Sequence, residues 1–407
     1  MKKDVLWGYL SQFLQYGAAL LVLPLLLRKL TSAELGVWYV FMTISALVSM
    51  LDMGFTPTLA RNVSYVLGGA KRLQKDGYKV VEQAGDIDYG LLKAMITASR
   101  RIFFFIAAAA LVLLAVPGSV YILYVAKEQV NQQTVLLAWG VFVFATVLNL
   151  FYKFYTPLLQ GRSLYAEFYK SSALANLGFI VVSAVLLEAG LGLLAVALGY
   201  LVSAMVGRWL SSRYFYDVSF KAQLDQASAA AMSVAEIFGF MWHNAWRLGL
   251  GVIGAFLILR ANTLLSSVYL GLATTAAYAL TLQMFSVLQS LSTVVFNVQL
   301  PKLAQCRITN QRKALIQTME LGLVCALGLF AFGTVMLLWL GATLIRWIGG
   351  NTELLSLPLL AWIGLMMFLE LSHSLAAGVI RHGKPGAVCE ACAGLGCGDC
   401  AVVVDWA

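Results

Sequence analysis

The sequence predicts an all-α integral membrane protein, and three observations carry that prediction. Of 407 residues, 61% are hydrophobic and only 12% charged, with a mean hydropathy of +0.83. Soluble domains carry roughly 25% charged residues, so a soluble enzyme and a disordered chain are both excluded as classes. The apolar residues come in long unbroken runs, where a transmembrane barrel would show alternating segments of about ten residues. Finally, the 28 Lys and Arg residues are distributed unevenly between alternate loops.

Ten apolar spans follow in order: 5–27, 35–60, 102–125, 135–159, 172–187, 189–209, 242–268, 274–299, 318–340 and 354–380. The first begins after Met1-Lys2-Lys3, as a signal peptide does. It is too long for a signal core, contains Pro24 and ends in Arg28-Lys29 without a small-residue cleavage site, so it reads as a retained membrane helix. The loops 28–34, 126–134, 188–189, 269–273 and 341–353 are short and leave no room for an extracellular domain. The connection 61–101 is long, and its Ala70–Tyr89 stretch is a mixture of Lys, Arg, Asp and Glu expected to be solvated. With the N-terminus in the cytoplasm, 22 Lys and Arg fall on the inner side and 4 on the outer side, with Arg247 and Arg260 inside a span. That is the positive-inside pattern. The formal charge of +9 thus reports topology and an attraction to membrane lipids with anionic heads, and no nucleic-acid partner is expected.

The halves of the chain repeat weakly. A shift of 240 brings Leu30 onto Leu270 and Trp38 onto Tyr278, and the helix–loop–helix spacing agrees over the apolar stretch up to Arg61, which falls on the stretch up to Pro301-Lys302. Transporters commonly contain such repeats. The expected organisation is a six-helix bundle over 1–210, a cytoplasmic linker over 211–241 and a four-helix bundle over 242–380. The last two spans of the first half have no counterpart before residue 407. Residues 381–407 turn abruptly Gly-, Ala- and Cys-rich, and the expectation is an aberrant, frameshifted tail.

That tail holds Cys389, Cys392, Cys397 and Cys400. Four thiolates can bind zinc, and Cys389–Gly396 resembles the cysteine–glycine repeat of a heat-shock chaperone zinc domain. The four-residue spacer is short, and the second pair lacks the trailing glycines, so no metal is expected. Cys306 and Cys325 are isolated and read as small apolar residues. Gly249-Leu-Gly251-Val-Ile-Gly254 matches a dinucleotide fingerprint, but it lies inside a span, follows no strand and has no acid about twenty residues on. Its glycines read as sites of close helix packing or bending. There is no Walker A motif, no H-E-x-x-H and no nucleophile–base–acid set. Neither a cofactor nor an enzymatic activity is expected.

The informative residues are ionisable groups within the spans, which are costly in lipid and usually face a cavity or a partner. Arg260 lies about 15 Å from the outer loop near Leu270, at 1.5 Å per residue, close to mid-bilayer. One reading makes Arg260, Arg247 and Lys153 the cationic lining of a cavity for an anionic substrate, since guanidinium grips phosphate bidentately. The other makes Arg260 half of an interhelical ion pair, with Asp52 as its candidate partner. Arg247 and Arg260 face one cavity only if the intervening glycines bend the helix. Glu370 and His373 lie one turn apart and either relay protons or satisfy each other inside the protein. Asp52, Glu370 and His373 are the candidates for ion coupling. Arg28, Arg61, Trp38 and Tyr39 read as interface anchors, and Arg61 is also a candidate for the inner mouth of a cavity.

Particular stretches carry a resemblance: Leu27-Arg28-Lys29-Leu-Thr-Ser-Ala-Glu34-Leu-Gly36-Val-Trp38-Tyr39, Leu51-Asp52-Met-Gly54-Phe, Trp246-Arg247-Leu-Gly249, Leu259-Arg260-Ala-Asn262-Thr, Tyr278-Ala-Leu-Thr-Leu-Gln283 and Leu300-Pro301-Lys302-Leu. Over residues 5–380 they resemble bacterial polysaccharide flippases of the Wzx type, in the multidrug/oligosaccharidyl-lipid/polysaccharide exporter superfamily. The resemblance implies a two-bundle fold of six plus six helices around a central cavity, of which about ten are present here. It implies alternating access that carries an undecaprenyl-pyrophosphate-linked oligosaccharide across the bacterial inner membrane for O-antigen or another surface polysaccharide. It implies cationic cavity residues at the pyrophosphate, and a polysaccharide polymerase and a chain-length regulator as candidate partners. The alternatives are a multidrug or cation antiporter of the same fold, a peptidoglycan lipid flippase, a membrane polymerase and a non-functional truncated flippase.

Overall fold

A computed structural model describes residues 7, 22–70, 87–127, 129–227, 232–297, 299 and 312–381, and these are helical throughout apart from turns and short links. Residues 22–29 are helical. Fourteen further α-helices follow among the described residues: α1 Ser32–Ser49, α2 Phe55–Leu67, α3 Tyr89–Leu113, α4 Ser119–Ala126, α5 Gln132–Phe151, α6 Tyr155–Gly161, α7 Tyr165–Glu188, α8 Leu193–Phe215, α9 Val218–Gln226, α10 Val234–Leu259, α11 Ala261–Tyr269, α12 Leu272–Asn297, α13 Arg312–Ile348 and α14 Leu357–Arg381. Among the described residues, seven helical stretches are long and apolar enough to cross a bilayer: Ser32–Asp52, Tyr89–Ala126, Gln132–Gly161, Tyr165–Glu188, Leu193–Phe215, Lys313–Ile348 and Leu357–Ala376. The chain thus has the character of a multi-pass membrane protein. Of the other expected spans, α10 and α11 cover 242–268 with a break at Arg260, and α12 covers 274–297. The span 5–27 lies mostly outside the described residues.

Several spans depart from the expected limits, each for a local reason. The helix expected from 102 starts at Tyr89, because Asp88 caps it by accepting from the Leu91 amide at 2.8 Å. Leu91, Leu92, Met95, Ile96, Ser99, Ile102 and Phe103 then continue one buried face, with Arg100 and Arg101 exposed. Near its other end the span widens to a π-turn over Leu114–Gly118. Pro117 has no N–H to give the helix ladder, and a wide turn accommodates that loss. The span expected over 35–60 breaks at Met53 (φ 41°) and Gly54 (φ 79°). A side chain in the left-handed region is unusual for methionine. The span expected over 242–268 breaks at Arg260, between α10 and α11.

The chain divides into two compact units. Unit 1 comprises Met1–Ala277 and Ile348–Thr352. It extends through α10 because that helix packs on α2, α3 and the turn at 50–52. Gly249 permits the approach: a Cβ there would stand 3.0 Å from Met53 Cβ and 3.1 Å from its Cα. Helices α7 and α8 form an extensively packed pair, and α8 also packs on α5. A Cβ at Gly199 on α8 would lie 2.0 Å from Ser183 Oγ on α7. Phe142 of α5 joins three helices, with ring centroids 5.2 Å from Phe41, 5.7 Å from Trp38 and 5.0 Å from Tyr200.

Two loops of unit 1 are tied by hydrogen bonds. The Asn351 amide donates to Leu27 O at 2.8 Å, its side chain donates to Arg28 O and Leu30 O, and Ser32 Oγ donates to Asn351 O at 2.6 Å. Arg28 Nε donates to Ile348 O. Elsewhere in the unit, Arg162 lies 3.7 Å over the Phe220 ring and donates to Phe215 O at 2.6 Å. Burial lowers the pKa of its guanidinium, and Asp217, Tyr89 and Glu167 partly offset that effect.

Unit 2, Tyr278–Trp347 and Glu353–Ala407, packs α12, α13 and α14 around Phe285, Phe296, Phe330, Leu360, Met367 and Leu371. Gly333 and Gly364 let Leu288 and Phe285 seat closely.

Candidate functional site

Three apolar helices of unit 1 each turn a polar stripe inward. On α1 the stripe is Ser45 and Ser49, continued by Asp52 in the turn Met50–Asp52. On α5 it is Thr146 and Asn149, continued by Lys153 in the turn Tyr152–Phe154. On α8 it is Tyr200 and Arg208. The intervals of three, four, seven and eight are those that place helical side chains on one face. The stripes line a cleft of about 140 Å³, to which Ser45, Ser49, Thr146, Asn149, Lys153, Tyr200 and Arg208 contribute.

Asp52 is buried, at 9% exposure, and well satisfied. Its Oδ2 lies 2.9 Å from Lys153 Nζ and accepts from Thr56 Oγ1 at 2.6 Å, and Oδ1 accepts from the Thr56 amide at 3.2 Å. The carboxylate therefore both neutralises Lys153 and fastens the start of α2. Arg208 donates to Asn149 Oδ1, whose Nδ2 donates to Tyr200 OH at 3.5 Å. The Thr146 hydroxyl, on a residue 1% exposed, has no hydrogen-bond partner. With two cations and one carboxylate, the cleft and its rim carry one net positive charge.

The expected site residues stand on several different elements. Lys153 does lie at a polar cleft, but as the partner of Asp52, so the ion pair considered for Arg260 with Asp52 is made by Lys153 instead. Arg260 is exposed at the break after α10, where its amide donates to Phe256 O at 2.8 Å. Arg247 is on α10, with its side chain outside the described residues. Arg61 is exposed on α2. In unit 2, Glu370 accepts from Gln289 Nε2, and His373 is exposed one turn further along α14. Cys389, Cys392, Cys397 and Cys400 lie outside the described residues.

Sequence reasoning missed Arg208, Asn149, Tyr200 and Thr146. The charge count places Arg208 with the inner basic loop at the end of the sixth span, whereas α8 runs on to Phe215. The signal that finds them is the helical spacing of polar residues within apolar spans.

No protein-family model, no curated protein and no solved structure matches the chain.

Proposed function

We propose that the chain is a transporter of the bacterial inner membrane that flips undecaprenyl-pyrophosphate-linked oligosaccharides for O-antigen or a related surface polysaccharide. The sequence resemblance supplies the substrate class. The observation that supports it best is the polar, net-positive cleft lined by Lys153 and Arg208 within apolar helices of unit 1. Charged and hydrogen-bonding groups at such a place cost stability and are usually kept for a polar cargo or an ion. The lipid tail of this cargo needs no protein help in the bilayer, whereas its pyrophosphate and sugars do. In this reading the chain has the two-bundle exporter fold with a cytoplasmic N-terminus, and it works without a chemical step or cofactor. Arg260, Arg247 and Arg61 are further candidate contacts for the headgroup, and a polysaccharide polymerase and a chain-length regulator are candidate partners.

Complementation tests this. Expressed in a bacterium lacking its own O-antigen flippase, the chain should restore surface polysaccharide. Absence of polysaccharide across hosts with different repeat units, with the protein present in the membrane, would reject the reading.

A cation or multidrug antiporter is the second reading, favoured by Glu370. That carboxylate lies on a membrane-crossing helix and is held by the neutral amide of Gln289. Efflux from proteoliposomes, lost in Glu370→Gln, would support it.

A further inference from the structure

Arg208 has no carboxylate within ion-pair distance among the described residues. It stands seven residues before the end of α8, about 10 Å along the helix. A guanidinium offers five donors, and one is engaged, by Asn149. Two neighbours at the cleft are also underused: Thr146 has an unpartnered hydroxyl, and Tyr200 OH receives one long hydrogen bond. The cleft volume of about 140 Å³ is far above the 10–15 Å³ or so that a single water needs on the same measure. Lys153 is already neutralised, so the excess charge of this cleft resides on Arg208.

We propose that the cleft is an anion site in which Arg208 grips a phosphate group, with Thr146 and Tyr200 as hydrogen-bonding partners. Guanidinium matches phosphate geometry and is the more weakly hydrated of the two basic side chains, which suits it to a partly dehydrated cleft. Asp52 sets the strength of the site from outside the first contacts. By holding Lys153 it keeps a second cation out of play, and its own charge opposes an incoming anion. As the seat of a transported cargo's phosphate this assignment rests on the transporter reading; as an anion site it does not. The phosphate could belong to a lipid headgroup or be free in solution, and the two sources share this chemistry.

The test uses the full chain in detergent micelles, with binding followed by calorimetry and by ligand-induced rise in Tm. The probes are sodium phosphate, dihexanoyl phosphatidic acid and, as a zwitterionic control, dihexanoyl phosphatidylcholine. Wild type should bind a phosphate probe in preference to the control. Arg208→Gln should lose that binding and Arg208→Lys should keep part of it. Asp52→Asn preserves an oxygen for the Thr56 amide and should bind about tenfold tighter, the scale of one unit charge in a partly shielded site. Binding of the lipid phosphate alone identifies a headgroup site, and equal binding of both phosphates identifies a free-anion site. Failure of wild type to bind either phosphate overturns the proposal, as does undiminished binding by Arg208→Gln. If Arg208→Gln does not fold, unchanged affinity in Asp52→Asn overturns it. Phosphate binding without complementation rejects the flippase and keeps the site, whereas complementation without binding rejects the site alone.

Discussion

At the scale of single residues, the pair Asp52–Lys153 shows what the sequence could and could not reveal. Both stood out as ionisable groups in apolar surroundings, because their cost is a property of the residue and its neighbours in the chain. Their partnership did not, because it joins residues about a hundred positions apart. Arg260 was the sharper candidate by depth, yet the carboxylate went to Lys153. Lys153→Met should lower stability by about 3 kcal/mol, the cost of stranding a buried carboxylate, and the double variant with Asp52→Asn should recover most of it. Thermal unfolding in detergent measures both. A purely additive double variant would show that the pair contributes no coupling.

Among elements, the helices were legible and their interruptions were not. Hydrophobic runs identify spans, but a break such as Met53-Gly54, or the one at Arg260, depends on what packs beside it. The close approach of Gly249 to Met53 is such a case. Span ends were misjudged where an amphipathic helix continues beyond the apolar run, as at Tyr89 and at Phe215. Pairing of α7 with α8 rests on small residues, as expected where lipid supplies no hydrophobic drive between helices. Gly199→Ala should destabilise by about 1–3 kcal/mol through overpacking, since the new methyl group would fall on Ser183 Oγ. That hydroxyl is buried and unpartnered, so adding Ser183→Ala should restore most of the loss. Measured Tm values of the single and double variants decide it. No recovery would mean that the backbones, and not the hydroxyl, set the spacing.

For the whole molecule, composition alone sufficed for the helical, membrane-crossing class. One pair of helix starts falls at the shift read from the sequence: Ser32 and Leu272 begin helices 240 residues apart. Gln132 and Leu357 begin helices only 225 apart, so the second half has the shorter connection ahead of its later helices. A fixed shift could not reveal that change. The topology implied by the basic loops is directly testable. In a chain freed of its own cysteines, Ser163→Cys should react with a membrane-impermeant thiol reagent only after the cells are opened. Asn131→Cys should react in intact cells. The reverse pattern would invert the molecule.

The clasp of Asn351 on residues 27–32 also constrains the order of assembly. The carbonyls of Leu27, Arg28 and Leu30 are satisfied by a residue made more than three hundred positions later. A ribosome adding about 5–20 residues per second needs roughly 15 seconds or more to reach it. Throughout that interval the early loop must rely on water or on provisional partners. Unit 1 therefore cannot be completed in the order in which it is synthesised: its first loop waits for residues that lie beyond most of unit 2 in the chain.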